Sequence, residues 1–282
     1  MRNLQIERIL GDWVRNKLPS TLVEFIMFVL KQAWACLFGI LFLAVLIISS
    51  AIWQDNWVLH RYDALFIFAI TTQVLFLLIK FESIQEAKVI ILFHIVGTIM
   101  EIFKIKMGSW AYPEPGLIKI ADVPLFSGFM YACVGSYMAR VIRIFDMCFA
   151  PYPPFWVTVV LATTIYANFF THHYTYDIRN LLFVTTIAVF WRTRIWFFIG
   201  HIPRWMPLPV AAFLSAFFLW LAENIGTMTG TWIYSGQTRW DLVNFGKLGS
   251  WYLLLYISFL LVTTVYRGVL YSAPQSPTNK QK

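Results

Sequence analysis

The chain of 282 residues is 59% hydrophobic and only 13% charged, with a formal net charge of +8 and a mean hydropathy of +0.66. These values exclude an ordinary soluble domain. They also speak against a nucleic-acid partner, because the cations flank apolar runs and form no basic face. Charge-free windows at 33–53, 64–79, 123–139, 147–171 and 249–266 approach or reach the roughly 20 residues that a helix needs to cross about 30 Å of hydrocarbon.

In chain order, residues 1–22 place Leu4, Ile6, Ile9, Leu10, Trp13 and Val14 at nearly helical spacing among Arg2, Arg8, Arg15 and Lys17. That pattern predicts a short amphipathic helix on the inner membrane surface, or a soluble cap, and not a cleavable signal. Eight helices follow, at 32–53, 62–80, 87–105, 122–145, 154–174, 179–198, 206–225 and 246–268, the sixth interrupted by Arg192 and Arg194. The run APYPP at 150–154 breaks them four and four. The expected fold is therefore an all-α polytopic membrane protein, with four-helix repeats at 23–149 and 150–271 and a disordered cytoplasmic tail at 272–282. Fifteen Lys and Arg fall at the inner ends with the N-terminus inside, against seven outside, which predicts both termini in the cytoplasm. Cys36, Cys133 and Cys148 form no metal spacing and read as small buried hydrophobes.

The repeat rests on one motif. EIFKIKMGSWAY (101–112) and ENIGTMTGTWIY (223–234) align without a gap, matching Glu101, Gly108, Ser109, Trp110 and Tyr112 with Glu223, Gly230, Thr231, Trp232 and Tyr234. Asp122 and Asn244 stand at the same offset of 122 residues and are expected to open the next helix. A gene duplicated as four-helix units accounts for the pattern, and such repeats place substrate sites at their interface. The glycines fall where a helix has just ended, a position that often needs a left-handed backbone.

Intramembrane carboxylates face a protein interior or a wet cavity, so Glu101 and Glu223 are the catalytic candidates. Lys104, at i+3, could pair with Glu101. Trp110, Tyr112, Trp232, Tyr234, Asp122, Asn244 and His94 are the expected substrate-binding set, with His94 two turns before Glu101 on about the same helix face. THHYTYDIR (171–179) offers His172, His173 and Asp177 as weak metal candidates. No HxxxH or ExxH spacing is present, so a solvated loop is the plainer reading and no metal is assigned. No nucleotide-binding fingerprint and no GxSxG elbow occur. No lysine is placed at the middle of a span for a retinal Schiff base.

HIVGTIMEIFKIKMGSWAYPEPGL, FFTHHYTYDIRN and GTWIYSGQ resemble a family of uncharacterised bacterial multi-pass membrane proteins, the YoaT-like group. The resemblance implies a topology and a bacterial inner-membrane location, with no reaction. The Glu–Gly–Tyr stretches are also similar to membrane carotenoid hydratases and lycopene cyclases, where a helix-ending glutamate precedes a Gly- and Tyr-containing loop. Two functions are expected on this basis. One is an enzyme using acid catalysis on an apolar lipid or isoprenoid from an outward-facing polar cavity. The other is a permease whose paired carboxylates couple protons or cations, with a non-catalytic scaffold as a third possibility. The cofactor, the substrate and the oligomeric state are not legible.

Overall fold

The structure, a computed structural model, describes residues 19–54, 56–200 and 203–271. The amphipathic reading of 1–18 and the tail at 272–282 lie outside them. Nine α-helices are present among the described residues: α1 (Ser20–Ala35), α2 (Leu37–Ile52), α3 (Arg61–Leu78), α4 (Ile84–Lys106), α5 (Phe126–Ile144), α6 (Phe155–Thr171), α7 (Arg179–Phe190), α8 (Leu208–Met228) and α9 (Gly246–Val265). Three of them, α3, α8 and α9, are long and apolar enough to cross a membrane. The pair α1 and α2, bent by 68°, makes a fourth if it is one span; α6 and α7 are apolar but shorter. Their outward faces carry bare apolar side chains such as Leu78, Leu181, Val184 and Phe218, more than half exposed. Nothing but lipid suits such faces on every side, and the protein is a membrane protein.

Several boundaries differ from the sequence expectation, two of them by the widest margin. The first helix begins at Ser20, not 32, and turns at Cys36. Polar bonds hold α1 off the line of α2: Lys31 donates to the Phe198 carbonyl at 3.3 Å, and the Tyr137 hydroxyl donates to Gln32 at 2.9 Å. The sixth helix ends at Phe190, and the expected helical stretch 194–198 is a strand. In RIWFF, Ile195 and Phe197 are buried and alternate with more exposed neighbours, a period of two that suits a sheet.

Among the described residues there are also seven short strands: β1 (Trp110–Ala111), β2 (Lys119–Ile120), β3 (Val123–Pro124), β4 (Cys148–Ala150), β5 (Arg194–Phe198), β6 (Pro203–Pro207) and β7 (Ile233–Tyr234). Strands β4, β5 and β6 form one antiparallel sheet, and β2 pairs with β3. Most consequential is the antiparallel pairing of β1 with β7, which joins the two copies of the motif.

α4 and α5 run antiparallel as the centre of the bundle. Ser83 and Glu86 form a capping box that starts α4: Glu86 N–H donates to Ser83 Oγ at 3.2 Å, and Ser83 N–H to Glu86 Oε2 at 2.6 Å. At this end Arg140 pairs with Glu82, both fully buried, and Arg143 pairs with Glu86 at 3.0 Å. Glu101 lies at the other end of α4. The three cysteines are free thiols, with Cys148 buried and the others half-buried.

Candidate functional site

Both motif helices stop in the same way. Ser109 N–H donates to the Lys104 carbonyl at 3.0 Å and Gly108 N–H to that of Ile105 at 2.9 Å. Thr231 N–H and Gly230 N–H bond Gly226 and Thr227 at 3.1 and 2.9 Å. This paired pattern is a Schellman ending, and it requires a left-handed residue after the helix. Gly108 and Gly230 supply it, at φ 66° and 67°. The glycine expectation therefore holds at both positions.

From these endings the chains turn back as β1 and β7. Trp110 lies opposite Tyr234, and Ala111 opposite Ile233. The sequence offset of 122 residues sends Ala111 to Ile233 and Trp110 to Trp232. The pairing is thus symmetric about the Ala111–Ile233 pair, so the two motif copies meet across a local two-fold. Trp110 and Tyr234 rings touch edge to face, centroids 5.7 Å apart. Ser235 closes the pairing by donating to the Ser109 carbonyl through its N–H at 3.3 Å, and to the Gly108 carbonyl through its hydroxyl.

The carboxylates lie behind this strand pair. Glu101, 2% exposed, accepts from three neutral donors. Trp110 Nε1–H and the Tyr112 hydroxyl reach its Oε2 at 2.8 and 3.0 Å, and the Tyr131 hydroxyl reaches Oε1 at 2.6 Å. Glu223, 7% exposed, accepts the Tyr234 hydroxyl on Oε1 and Trp251 Nε1–H on Oε2. Each glutamate thus takes a donor from its own strand and another from the following helix, α5 or α9. Two aromatic contacts bridge the glutamates, Trp110 with Tyr234 and Tyr131 with Trp251, the latter at 6.2 Å. The Lys247 ammonium lies 3.8 Å from the Tyr234 centroid and 5.0 Å from that of Trp110. Such an ammonium over ring faces adds a positive field beside both carboxylates.

Other expected residues fall elsewhere. Trp232 touches no carboxylate; its ring lies on Gly226 within the cluster of Trp110, Trp220, Tyr234 and Val243. Asp122 does not open a helix. It sits exposed at φ 66° in the two-residue turn between β2 and β3, and α5 begins four residues later. Asn244 does serve the start of α9, its Oδ1 accepting Gly246 N–H at 2.7 Å, but it too is exposed. His94 packs against Phe129, centroids 4.7 Å apart, and against Gly128. Asn224, next to Glu223, bonds the Trp220 carbonyl and Val243 N–H instead.

Lys104 does not pair with Glu101. Its ammonium meets Nε2 of His173 at 2.9 Å and of His172 at 3.5 Å, and lies 4.9 Å from the Phe169 centroid. Because an ammonium only donates, both Nε2 atoms accept. The His172 proton therefore sits on Nδ1, bonded to the Asn168 carbonyl at 2.9 Å. Asp177 is engaged by Asn168, by Arg179 N–H at 2.9 Å and by the Arg179 guanidinium at 3.2 Å. No group of three or more potential metal ligands occurs among the described residues. The loop is exposed from His173 to Ile178 and His172 is half-buried, yet both imidazoles also meet the buried Lys104 ammonium, a contact the sequence reading did not include.

Burial first, with the Lys104 cation, pushes both imidazoles below their ordinary value. The unfolded chain takes up protons near pH 6.5 while the folded loop resists them. The stability these contacts provide is thus complete above about pH 6.5 and lost as pH falls through the lower folded values. The thermal midpoint should drop on acidification from about pH 7 to pH 5.5 more steeply for the native chain than for His172→Ala/His173→Ala. Equal slopes would show that the pair does not hold Lys104.

Residues outside the expected substrate-binding set brace the motif loops. Arg61, Tyr62 and Asp63 open α3 and are buried. Tyr62 and Arg61 donate to Thr231, at its carbonyl and its hydroxyl, both at 2.8 Å. The Asp63 carboxylate takes Leu117 and Ile118 N–H, the latter at 2.8 Å. A polar triplet opening an apolar helix is the signal that could have marked them.

Helices with lipid-suited faces, and a buried carboxylate pair at their ends, define a membrane protein with an internal acidic site. The chain belongs to the DUF817 family, described as a protein of unknown function, whose family model matches residues 24–259. It is 41% identical over 259 residues to the "Uncharacterized protein YoaT" of Bacillus subtilis (strain 168), covering 92% of this chain and 96% of that one. The resemblance to a YoaT-like family is therefore borne out. Neither match is to a carotenoid hydratase or lycopene cyclase. No solved structure matches.

Proposed function

We propose that this is a multi-pass membrane enzyme of two tandem four-helix repeats and eight crossings, with both termini cytoplasmic and the glutamate site facing outward. It acts by acid catalysis on an apolar lipid or isoprenoid. The observation that supports this reading is the meeting of both motif glutamates behind the β1–β7 pair, in a setting of aromatic rings. Glu223 is the acid. Trp251 Nε1–H can only donate, so Oε2 of Glu223 must accept; the Tyr234 hydroxyl can reverse, so Oε1 can carry a proton. Glu101, with three donors, is the better-held anion.

In the proposed reaction the Glu223 O–H bond breaks and a C–H bond forms at one alkene carbon. The resulting cation then loses a neighbouring proton or takes up water, and the released proton returns to the carboxylate. Trp and Tyr ring faces suit the passing positive charge. A narrow apolar cleft of about 30 Å³, lined by Phe93, Gly97, Met100, Tyr166 and the two carboxylate holders Tyr131 and Trp251, is the candidate approach. Lys247 beside both glutamates favours a second reading, a site that binds or carries a proton or cation.

Lipid and pigment profiles of a strain lacking the chain, complemented with the native gene, Glu223→Gln or Glu101→Gln, test the proposal. An apolar species should accumulate in the deletion strain. The native gene should clear it, Glu101→Gln should clear part of it, and Glu223→Gln none. An unchanged profile, or full rescue by Glu223→Gln at native protein level, would overturn it. Proton uptake by liposomes carrying the purified protein, lost in Glu223→Gln, would move the assignment to the second reading.

A further inference from the structure

A second cavity, of about 330 Å³, opens beside the motif loops and not on the carboxylates. Ser49 and Ser50 at the end of α2, Trp53, Arg61, Thr229 and Arg239 line it. Unlike the cleft on the helix side, it presents two guanidinium groups and one carboxylate, that of Glu114.

Arg61 is the built element. It is 4% exposed, yet it borders an open cavity. Its Nε–H donates to Ser49 Oγ at 3.1 Å, one terminal nitrogen to Glu114 and the other to Thr231 Oγ1 at 2.8 Å. A guanidinium has five N–H donors. Two are therefore left without a protein partner among the described residues.

Arg239 supplies the second cation. Its Nε–H donates to the Met228 carbonyl at 2.6 Å, and the guanidinium lies 5.6 Å from the Trp240 centroid. Among the described residues it forms no ion pair. Glu114 also lines the wall and is 31% exposed at its side chain. Among the described residues, two cations against one carboxylate give the cavity wall a surplus positive charge.

The position narrows the ligand. The Trp53 and Trp57 rings meet at a tilt of 59° with centroids 4.8 Å apart, and Ile48, Ile52 and Val58 nearby are largely bare. Aromatic pairs next to exposed apolar side chains mark a membrane–water boundary, the level at which lipid phosphates lie. Forked guanidinium donors match the several acceptor oxygens of a phosphate better than a single point charge does.

We propose that this cavity is an anion site that takes a phosphate group, with Arg239 and the spare donors of Arg61 as its cationic walls. It stands independently of the acid-catalysis reading, since none of these residues bonds Glu101 or Glu223. A free phosphate and a lipid headgroup share this chemistry.

The test uses the purified full chain in uncharged detergent. Thermal midpoints are followed against sodium phosphate, with sodium chloride at equal ionic strength as reference. They are followed in parallel against mixed micelles of phosphatidylglycerol or the matching diacylglycerol, which lacks the phosphate. A saturable rise with phosphate, or with phosphatidylglycerol and not diacylglycerol, is expected. In Arg239→Gln the concentration for half the effect should increase about tenfold or more, and in Glu114→Gln it should decrease. A response in both arms assigns the site to phosphate generally; a response to the lipid alone assigns it to a headgroup. No saturable rise in either arm, or the same response in Arg239→Gln, overturns the proposal.

Discussion

Arg140→Met should remove about 3–5 kcal/mol of stability, because it strands a buried carboxylate without its counter-charge. Arg140 and Glu82 are 0% and 4% exposed at the far end of α4 and α5 from the glutamate site. Ser136 donates to the same Glu82 oxygen at 2.8 Å, and the Arg140 guanidinium lies 4.1 Å from the Phe81 centroid. Loss of the cation therefore removes an ion pair and a ring contact together, while leaving Glu82 in place. The measurement is a denaturation curve in detergent for the single variant and for Glu82→Gln/Arg140→Met. The double variant should recover most of the loss, since a neutral amide is far less costly to bury than an unpaired carboxylate. Equal losses would mean that the pair contributes little and that packing around Phe76 and Phe81 carries the effect.

Gly226→Ala should damage the site from the helix side without touching a glutamate. A methyl group at position 226 would stand 1.9 Å from Cη2 of Trp232 and 2.3 Å from Cζ2. These are ring atoms of a buried indole, not the end of a flexible chain, so the ring or α8 must shift. Overpacking of this kind typically costs about 1–3 kcal/mol. Trp232 precedes β7 directly, so the shift should also loosen the β1–β7 pairing. Gly226→Ala/Trp232→Phe, which shortens the ring, should regain most of the midpoint. If the single variant melts like the native chain, Trp232 is not seated on Gly226.

The motif pair was legible because each part leaves a separate mark in the sequence. A Schellman ending needs Gly108 and Gly230, and the strand that follows repeats Trp and Tyr at one offset. The far holders, Tyr131 and Trp251, were not legible. They come from the next helix, 30 and 28 residues after their glutamates, among 13 Tyr and 13 Trp in the chain. They also do not share the 122-residue offset, so the repeat could not point to them.

The pairing of Lys104 with Glu101 failed for a different reason. Spacing of i and i+3 favours ion pairs on an exposed helix surface. Here both residues are buried, and Glu101 is already supplied by three neutral donors. Lys104 is left to the two histidines. Arg140 is one of the fifteen cations assigned to the inner ends, since Lys/Arg counting treats every cation alike. Its carboxylate partner lies 58 residues away, beyond any local pattern. Residues 194–198 read as helix because the short apolar run after Arg194 does not by itself distinguish strand from helix, and the pairing partners of β5 are distant in sequence.

The meeting of the two motif copies is tested most directly by a disulfide across Ala111 and Ile233. Residues opposite each other on antiparallel strands have Cα atoms about 4.5–5.5 Å apart, within the span a disulfide bridges. Ala111→Cys/Ile233→Cys is made in a chain with Cys36, Cys133 and Cys148 replaced by Ser, then treated with a mild oxidant and digested. Mass spectrometry should find the 111- and 233-containing peptides joined, and separated again by reductant. Two thiols that both react with maleimide yet never join would place the loops apart and leave Glu101 and Glu223 as unrelated carboxylates.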